Sequence, residues 1–249
     1  MSEPSAEGYV LTRLSRIRAR LVPHDWTWAR TNADRIARHW ERRRAAQPAL
    51  FDGPVFLACA CEIADGGCRV DLFETRYSAF IAHRDLGFPD GSVANAFAAI
   101  APFGADGGVL LGEMAPHTAN AGQVYFACGT PDRDDLTGTT VDLSGSAARE
   151  LLEETGVSLP PGAPESWVLL RGEGHLAFLR PVRFPEPALA LRERMERHLA
   201  AEDPPELSGI VIVRGIAEIE PERMPGYVRA FLRDAFGPTS PAARSASRP

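Results

Sequence analysis

The chain has 249 residues, enough for one large domain or for one domain with a substantial extension. Hydrophobic residues make up 45% and charged residues 24%, which is the make-up of an ordinary globular core with a charged surface. The net charge of −6 argues against a general nucleic-acid binder, which needs a basic surface to neutralise phosphates.

Residues 11–46 read as helical and basic, with ten arginines against Asp25, Asp34 and Glu41. Within them Ile36, Ala37 and Trp40 fall at helical spacing, which predicts a surface helix that docks its Trp40 edge on the core. The sharper alternative is a basic wall that faces an anionic ligand. His24, Trp26 and Trp28 form an amphipathic anchoring segment or stack on a base. Residues 47–53 read as a turn, 54–63 as a strand, Gly66-Gly67 as a turn and 68–74 as a second strand with Val70 and Leu72 alternating. A helix with Tyr77, Phe80 and Ile81 follows. Residues 97–102 and 108–114 are apolar strands on either side of a turn at 104–107. Residues 123–127 form a short strand and 129–144 a long polar loop. A helix spans 144–155, and Gly156 fits the left-handed residue that ends it. Two strands, 166–171 and 175–184, join across Gly172-Glu173-Gly174. A helix at 188–200 carries Leu191, Met195 and Leu199 on one side. Residues 209–219 read as a β-branched strand, 225–236 as a closing helix and 237–249 as a disordered tail. No regular βαβ alternation appears, so the fold class is α+β, or mixed α/β.

The basic residues number 27 and all are Arg, so any phosphate recognition here uses the planar guanidinium. Residues 1–22 carry Arg13, Arg16, Arg18 and Arg20 and lack the apolar run of a signal peptide. No apolar stretch approaches the roughly 20 residues of a membrane-spanning helix, so a cytoplasmic location with no membrane partner is the expectation. The four cysteines are Cys59, Cys61, Cys68 and Cys128, too few in a chain of this length for a disulfide framework. Cys59 and Cys61 alternate on a predicted strand and should share one face. A zinc site lacks a fourth nearby ligand, so buried, reduced thiols are expected.

The helix at 144–155 carries the chemistry. Glu150, Glu153 and Glu154 stand at i, i+3 and i+4, so one face holds three carboxylates. Like charges at this spacing repel, and the C-terminal end of the helix dipole disfavours anions. A bound divalent cation would offset both penalties, and carboxylate oxygens suit Mg²⁺ or Mn²⁺. Arg149 lies four residues before Glu153 and can brace it. Ala148, Leu151 and Leu152 are expected to form the buried face. Spacing alone is equally compatible with a solvated acidic face.

Residues 149–157, Arg-Glu-Leu-Leu-Glu-Glu-Thr-Gly-Val, resemble the second half of the Nudix box, G-x5-E-x7-R-E-U-x-E-E-x-G-U. Every fixed position of that half is present: Arg149, Glu150, Leu151, Glu153, Glu154, Gly156 and Val157. The first half departs from it, with Val141 in place of the Glu and Asp135 in place of the Gly. An insertion of about six residues reconciles the two, since lengthening a loop costs little closure entropy. Gly129 then becomes the loop-opening Gly, and Asp142 either replaces the missing Glu or caps the helix. Asp132, Asp134 and Asp135 crowd the same loop. The words at 48–53, 73–77, 118–122 and 129–132 resemble an unusual Nudix branch with a long N-terminal region and a modified box, one animal subgroup of which cleaves UDP-sugars.

The resemblance implies a Nudix-type α/β/α sandwich with a mixed sheet and an N-terminal extension. It implies an extension over residues 1–100, a hydrolase domain over 101–236 and a tail over 237–249. It implies a hydrolase that uses Mg²⁺ or Mn²⁺ to cleave the diphosphate of a small nucleoside diphosphate derivative, with a nucleotide sugar as one candidate. Catalytic roles fall to Arg149, Glu150, Glu153 and Glu154, and metal ligation to Glu150, Glu153, Glu154 and Gly129. His117 and Asn120 are substrate-binding candidates in a polar loop, and Glu202 or Glu206 is the candidate for a further acid. The alternative is a non-catalytic Nudix-fold module that binds a nucleotide or a protein, which the missing Glu favours. A nucleic-acid adaptor built on the basic residues 13–44 conflicts with the net charge.

Overall fold

A computed structural model describes residues 5, 7–48 and 50–237; the tail expected at 237–249 lies, but for Gly237, outside the described residues. The described residues form an α+β fold with two mixed sheets and six helices. The strands are β1 (Val10–Leu14), β2 (Arg16–Leu21), β3 (Pro54–Ala64), β4 (Gly67–Arg76), β5 (Asn95–Phe103) and β6 (Val109–Met114). They continue with β7 (Val124–Tyr125), β8 (Leu136–Thr137), β9 (Thr140–Val141), β10 (Trp167–Gly172), β11 (His175–Arg183) and β12 (Leu207–Val213). The helices are α1 (Thr27–Thr31), α2 (Ala33–Ala46), α3 (Tyr77–Asp85), α4 (Leu143–Thr155), α5 (Ala188–Leu199) and α6 (Gly226–Phe236). No helix among the described residues is long and apolar enough to cross a membrane.

The larger sheet runs β1-β10-β11-β5-β6-β12, with β7 added to β6. Its central pair, β11 and β5, is parallel, and its other pairs are antiparallel. Strand β5 is buried at all but its last position, so both its faces are covered. Helix α4 packs on it, and Tyr227 and Phe231 of α6 meet Phe97 and Phe103 at ring separations of 5.2 and 6.3 Å. Strand β5 crosses residue 100, and β1 pairs with β10 along its whole length, so the first hundred residues contribute two strands to this sheet.

The smaller sheet runs β3-β4-β2-β9-β8. Trp26, Ile36, Val55, Leu57, Phe73, Phe80, Ile81 and Val93 make a second core between this sheet and helices α2 and α3. Ile36 is the buried residue of α2, and Trp40 meets the Tyr77 ring edge-on at 6.1 Å, so the basic helix docks on α3 by its apolar edge as its spacing predicts.

Three element expectations change. Residues 10–21 are strands, not helix: Arg16-Ile17-Arg18-Ala19-Arg20-Leu21 alternates strictly, and the arginines point to solvent while Ala19 is buried. The polar loop at 129–144 contains a 3-10 turn, Arg133–Asp135, and the hairpin β8–β9, whose second strand pairs with β2. The strand expected to reach residue 219 stops at Val213, and a 3-10 turn over Ile216–Glu218 follows.

The hairpin delivers the chain to α4 with Asp142 at the N-cap, where its carboxylate accepts a hydrogen bond from the Gly145 N–H at 2.8 Å. At the other end Gly156 adopts φ +67°, as expected, and a Cβ there would lie 2.6 Å from the His198 ring of α5. The capping role of Asp142 leads to a stability expectation. Asp142→Ala should cost ~1 kcal/mol in urea unfolding, while Asp142→Asn, which keeps a capping oxygen, should stay near the parent. An equal loss in both would mean that the negative charge, not the cap, is what α4 needs.

Candidate functional site

The rotation of α4 decides which acids meet. Leu143, Ala147 and Leu151 are buried at successive i+4 positions, and Glu154 three residues later falls on the same stripe. Glu154 is accordingly 7% exposed, while Leu152, expected inside, is 47% exposed. Ala148 is likewise only half-buried. The three glutamates therefore do not form one open face: Glu153 points to solvent, Glu150 is largely covered and Glu154 is buried.

Arg149 braces the outer side. Its guanidinium reaches Glu153 at 3.1 Å as expected, Glu150 at 2.9 Å and Asp135 at 2.9 Å. Asp135 is a buried carboxylate on the polar loop before α4, and it, rather than Asp142 at the N-cap, is the loop acid that reaches Arg149. Asp132 and Asp134 stay within the loop, with Asp132 capping the 3-10 turn through the Asp134 N–H at 2.8 Å.

Glu154 receives no such partner. Its Oε2 is buried without a hydrogen bond. Burial and the nearby Glu206 and Glu150 carboxylates push its carboxyl up to about 9. Burial also raises Glu150, against the opposing pull of Arg149. Glu206 is exposed at the edge of this group, yet the protein packed behind it raises its carboxyl as well, and His117 partly counters the rise. Gly129 closes the group from the loop side: a Cβ there would lie 2.9 Å from Glu150 Oε1, so the backbone runs against the carboxylate. Hard carboxylate oxygens, a buried orphan oxygen and this close backbone approach fit a divalent cation. Among the described residues, however, no three side chains of His, Cys, Asp or Glu are gathered as a metal site, and Glu153, held outward by Arg149, is the expected member that stands apart.

The acids adjoin a cleft of about 830 Å³. Cys128, Gly129 and Glu206 line its acidic end, and Tyr77, Phe80, Phe97, Tyr125 and Tyr227 form much of its wall. Asn120 lies in the wall, giving an N–H to the Tyr125 hydroxyl at 3.0 Å and accepting from Arg84 at 3.4 Å. His117 is exposed and outside the lining, close enough to Glu206 to act on its charge. Glu202 pairs with His198 at 3.2 Å, away from the cleft wall. Three of the distant sequence words meet here, through Tyr77, Thr118–Ala121 and Gly129-Thr130. The fourth supports them, since Asp52 accepts a hydrogen bond of 2.7 Å from the Ser78 N–H at the start of α3.

The chain matches no family model and no curated protein. The likeness of residues 149–157 to the Nudix box thus rests on the residues themselves.

Several cleft residues had no signal of their own. Phe97 and His175 read as strand residues and Cys128 as a buried thiol, while Asn95 and Arg84 carry no signal in the sequence. Only the pairing of β5 with β11, which sets Asn95 beside His175, brings two of them together.

The buried Glu154 carboxyl makes stability depend on pH. The folded protein holds its proton up to about pH 9, whereas an unhindered carboxyl releases it near 4.5. Between these values the folded state binds more protons than the unfolded state, so stability is full below the lower value and falls as pH rises. The slope is ~1.4 kcal/mol per pH unit for one such group. In chelator, the urea midpoint of the parent should therefore fall from pH 5 to pH 9. Glu154→Gln should flatten the profile, leaving the residual slope due to Glu150 and Glu206. Parallel profiles would show that Glu154 is not the buried proton.

Proposed function

We propose that this protein is a divalent-cation-dependent hydrolase of the Nudix type that cleaves the diphosphate linkage of a small nucleoside diphosphate derivative, nucleotide sugars included. The observation that carries the reading is the packing of Glu150 and Glu154, with Glu206 nearby, at the end of an aromatic cleft of about 830 Å³. A cluster of raised carboxylates beside a cleft is where functional sites are sought. The match of residues 149–157 to the Nudix box adds to it. The exposed three-carboxylate face expected from spacing is not part of the argument; the buried pair replaces it.

Glu150 and Glu154 would hold the cation, with the Gly129 backbone beside them. When bound, Mg²⁺ or Mn²⁺ supplies neutralisation of the charge that develops on the leaving oxygen and lowers the pKa of a water. Glu154 must give up its proton for this, so binding is linked to proton release. Glu206, whose carboxyl is raised by the protein packed behind it and which is open to solvent, would take the proton of an attacking water. Arg84, the one arginine in the lining, offers a fork for a phosphate, and the tyrosine and phenylalanine rings offer faces for a base. Arg149 keeps Glu150 and Glu153 in place through its three carboxylate contacts. A cytoplasmic setting belongs to the same proposal, since all four cysteines are free thiols, as a reducing compartment leaves them.

The test is a panel of nucleoside diphosphate derivatives incubated with Mg²⁺ and with Mn²⁺. The parent should release a nucleoside monophosphate from at least one of them, and Glu154→Gln should lower the rate on the order of a hundred-fold or more. Either cation should raise the melting temperature of the parent, and that of the variant far less. Full activity with an equal cation response in both proteins would remove Glu154 from the site. Ligand binding with no cleavage under either cation would favour a non-catalytic nucleotide-binding module.

A further inference from the structure

A second chemical site lies on the β3–β4 hairpin. The sulfurs of Cys61 and Cys68 stand 3.3 Å apart and share a hydrogen bond. In the hairpin register Cys61 faces Val70 and Cys68 faces Ile63, so the two thiols are diagonal neighbours on one face. The register slips between Ala58 and Ala60, which leaves Cys59 as the extra residue of a bulge. Cys59 turns away and donates its thiol to the Asp71 carbonyl at 3.4 Å. It packs against the smaller core, whereas Cys61 packs against the larger one. The expectation that Cys59 and Cys61 share a face is thereby corrected, because the bulge shifts the strand's alternation by one residue.

We propose that Cys61 and Cys68 form a reactive dithiol that closes to a disulfide when hydrogen peroxide oxidises it. The sulfurs need to approach by only about 1.3 Å to reach bonding distance, and both already sit on hydrogen-bonded neighbouring strands. A cavity of about 380 Å³ opens beside Cys59 and Cys61, lined also by Ser92, Arg171 and His175, and gives a small oxidant access to both; of the two, Cys61 has a second sulfur within reach, while Cys59 is tied to the Asp71 carbonyl. Cys61 is half-buried and Cys68 is buried, so the oxidant meets Cys61 first. The hydrogen bond from Cys68 and the field of Arg171 both favour the Cys61 thiolate, while Cys68 is held as the thiol.

The reaction balances with the peroxide alone. The Cys61 thiolate attacks one peroxide oxygen, the O–O bond breaks, and the other oxygen leaves as water after taking a proton. Cys61 is then a sulfenic acid. The Cys68 sulfur attacks the Cys61 sulfur, the S–O bond breaks, and a second water leaves with the Cys68 proton. Two thiols are oxidised and one peroxide is reduced. Cys59 and Cys128 take no part: burial raises both thiols, and the carboxylates of Glu154 and Glu150 raise Cys128 further.

The test uses the reduced full-length protein, treated with hydrogen peroxide at a few equivalents, then alkylated under denaturing conditions and mapped without reduction. Cys59, Cys61 and Cys68 share one tryptic peptide, so a second cut at Asp65, between Cys61 and Cys68, is needed to separate the pair. The expected result is the loss of two of the four thiols, with the two Asp65-cut fragments joined through Cys61 and Cys68. Cys59 and Cys128 should remain fully alkylated. Cys68→Ser should stop at a Cys61 sulfenic acid that dimedone traps, and Cys61→Ser should leave Cys68 unoxidised under the same treatment. Circular dichroism on both variants checks that they fold. A linkage through Cys59, equal oxidation of all the thiols, or no loss of thiol in the folded parent would each overturn the proposal.

Discussion

Two carboxylates on one turn of α4 are pressed into a space with little water, and much of the surrounding structure answers to that. Glu150 and Glu154 stand four residues apart on the helix, with the Gly129 backbone against the first and Cys128 beside the second. Two negative charges in such a place repel strongly, because little solvent screens them. Something positive must sit between them, either a proton or a cation. The helix cannot rotate to relieve the strain, since Leu143, Ala147 and Leu151 anchor its inner stripe in the large core. The Asp142 cap and the Gly156 terminus fix its length as well as its position.

Arg149 divides the acids into two classes. It compensates Glu153 in solvent, Glu150 at the boundary and the buried Asp135 of the polar loop before α4. The Asp135 contact explains how a long polar loop stays docked on the helix, since an unpaired carboxylate at that depth would be costly. A guanidinium has a planar fork with five N–H donors, so a lysine could not serve three carboxylates in this way. Glu154 lies around the helix from Arg149 and gets no share of that charge. Of Asp135, Glu150, Glu153 and Glu154, Glu154 is the acid with no cation beside it, and it is as buried as Asp135, an arrangement that suits exchange of a proton for a metal ion.

How much of this the residues announce in advance depends on the range of the forces. Helix α4, its Gly stop and the Arg149–Glu153 brace were legible because capping and i+4 contacts are local. The strands at Arg16–Leu21 were overlooked because six residues with three arginines resemble a basic helix by composition, although their alternation was plain. Glu154 falls on the open side by helical spacing, because Ala148, Leu151 and Leu152 look as good a core as Leu143, Ala147 and Leu151 until β5 is in place. The wall of the cleft was legible only as separate words. Tyr77, Asn120, Gly129 and Glu206 come from four stretches that meet through sheet pairing, and nothing in their neighbours in sequence records it.

The distribution of arginine adds a final constraint on how a ligand could enter. Most arginines with assigned contacts are spent on surface pairs such as Arg20–Asp71 and Arg133–Glu74. At the cleft, Arg84 is held by Asp85 at 3.0 Å, and Asp85 is itself approached by His39 and Arg43 of α2 at 3.1 and 3.6 Å. The basic helix therefore acts on the cleft at second hand, by sharing the one acid that would otherwise cancel Arg84. Even so, the lining offers one guanidinium against Glu206, with Glu150 and Glu154 just behind. A cleft of this balance repels a diphosphate until the acidic end gains positive charge. On the proposed reading, cation and substrate must then bind with positive cooperativity, each lowering the electrostatic cost of the other. The same balance gives the protein a reason to bury Glu154 as an acid: a proton held there keeps the empty cleft from becoming more negative, and is surrendered when a cation takes its place.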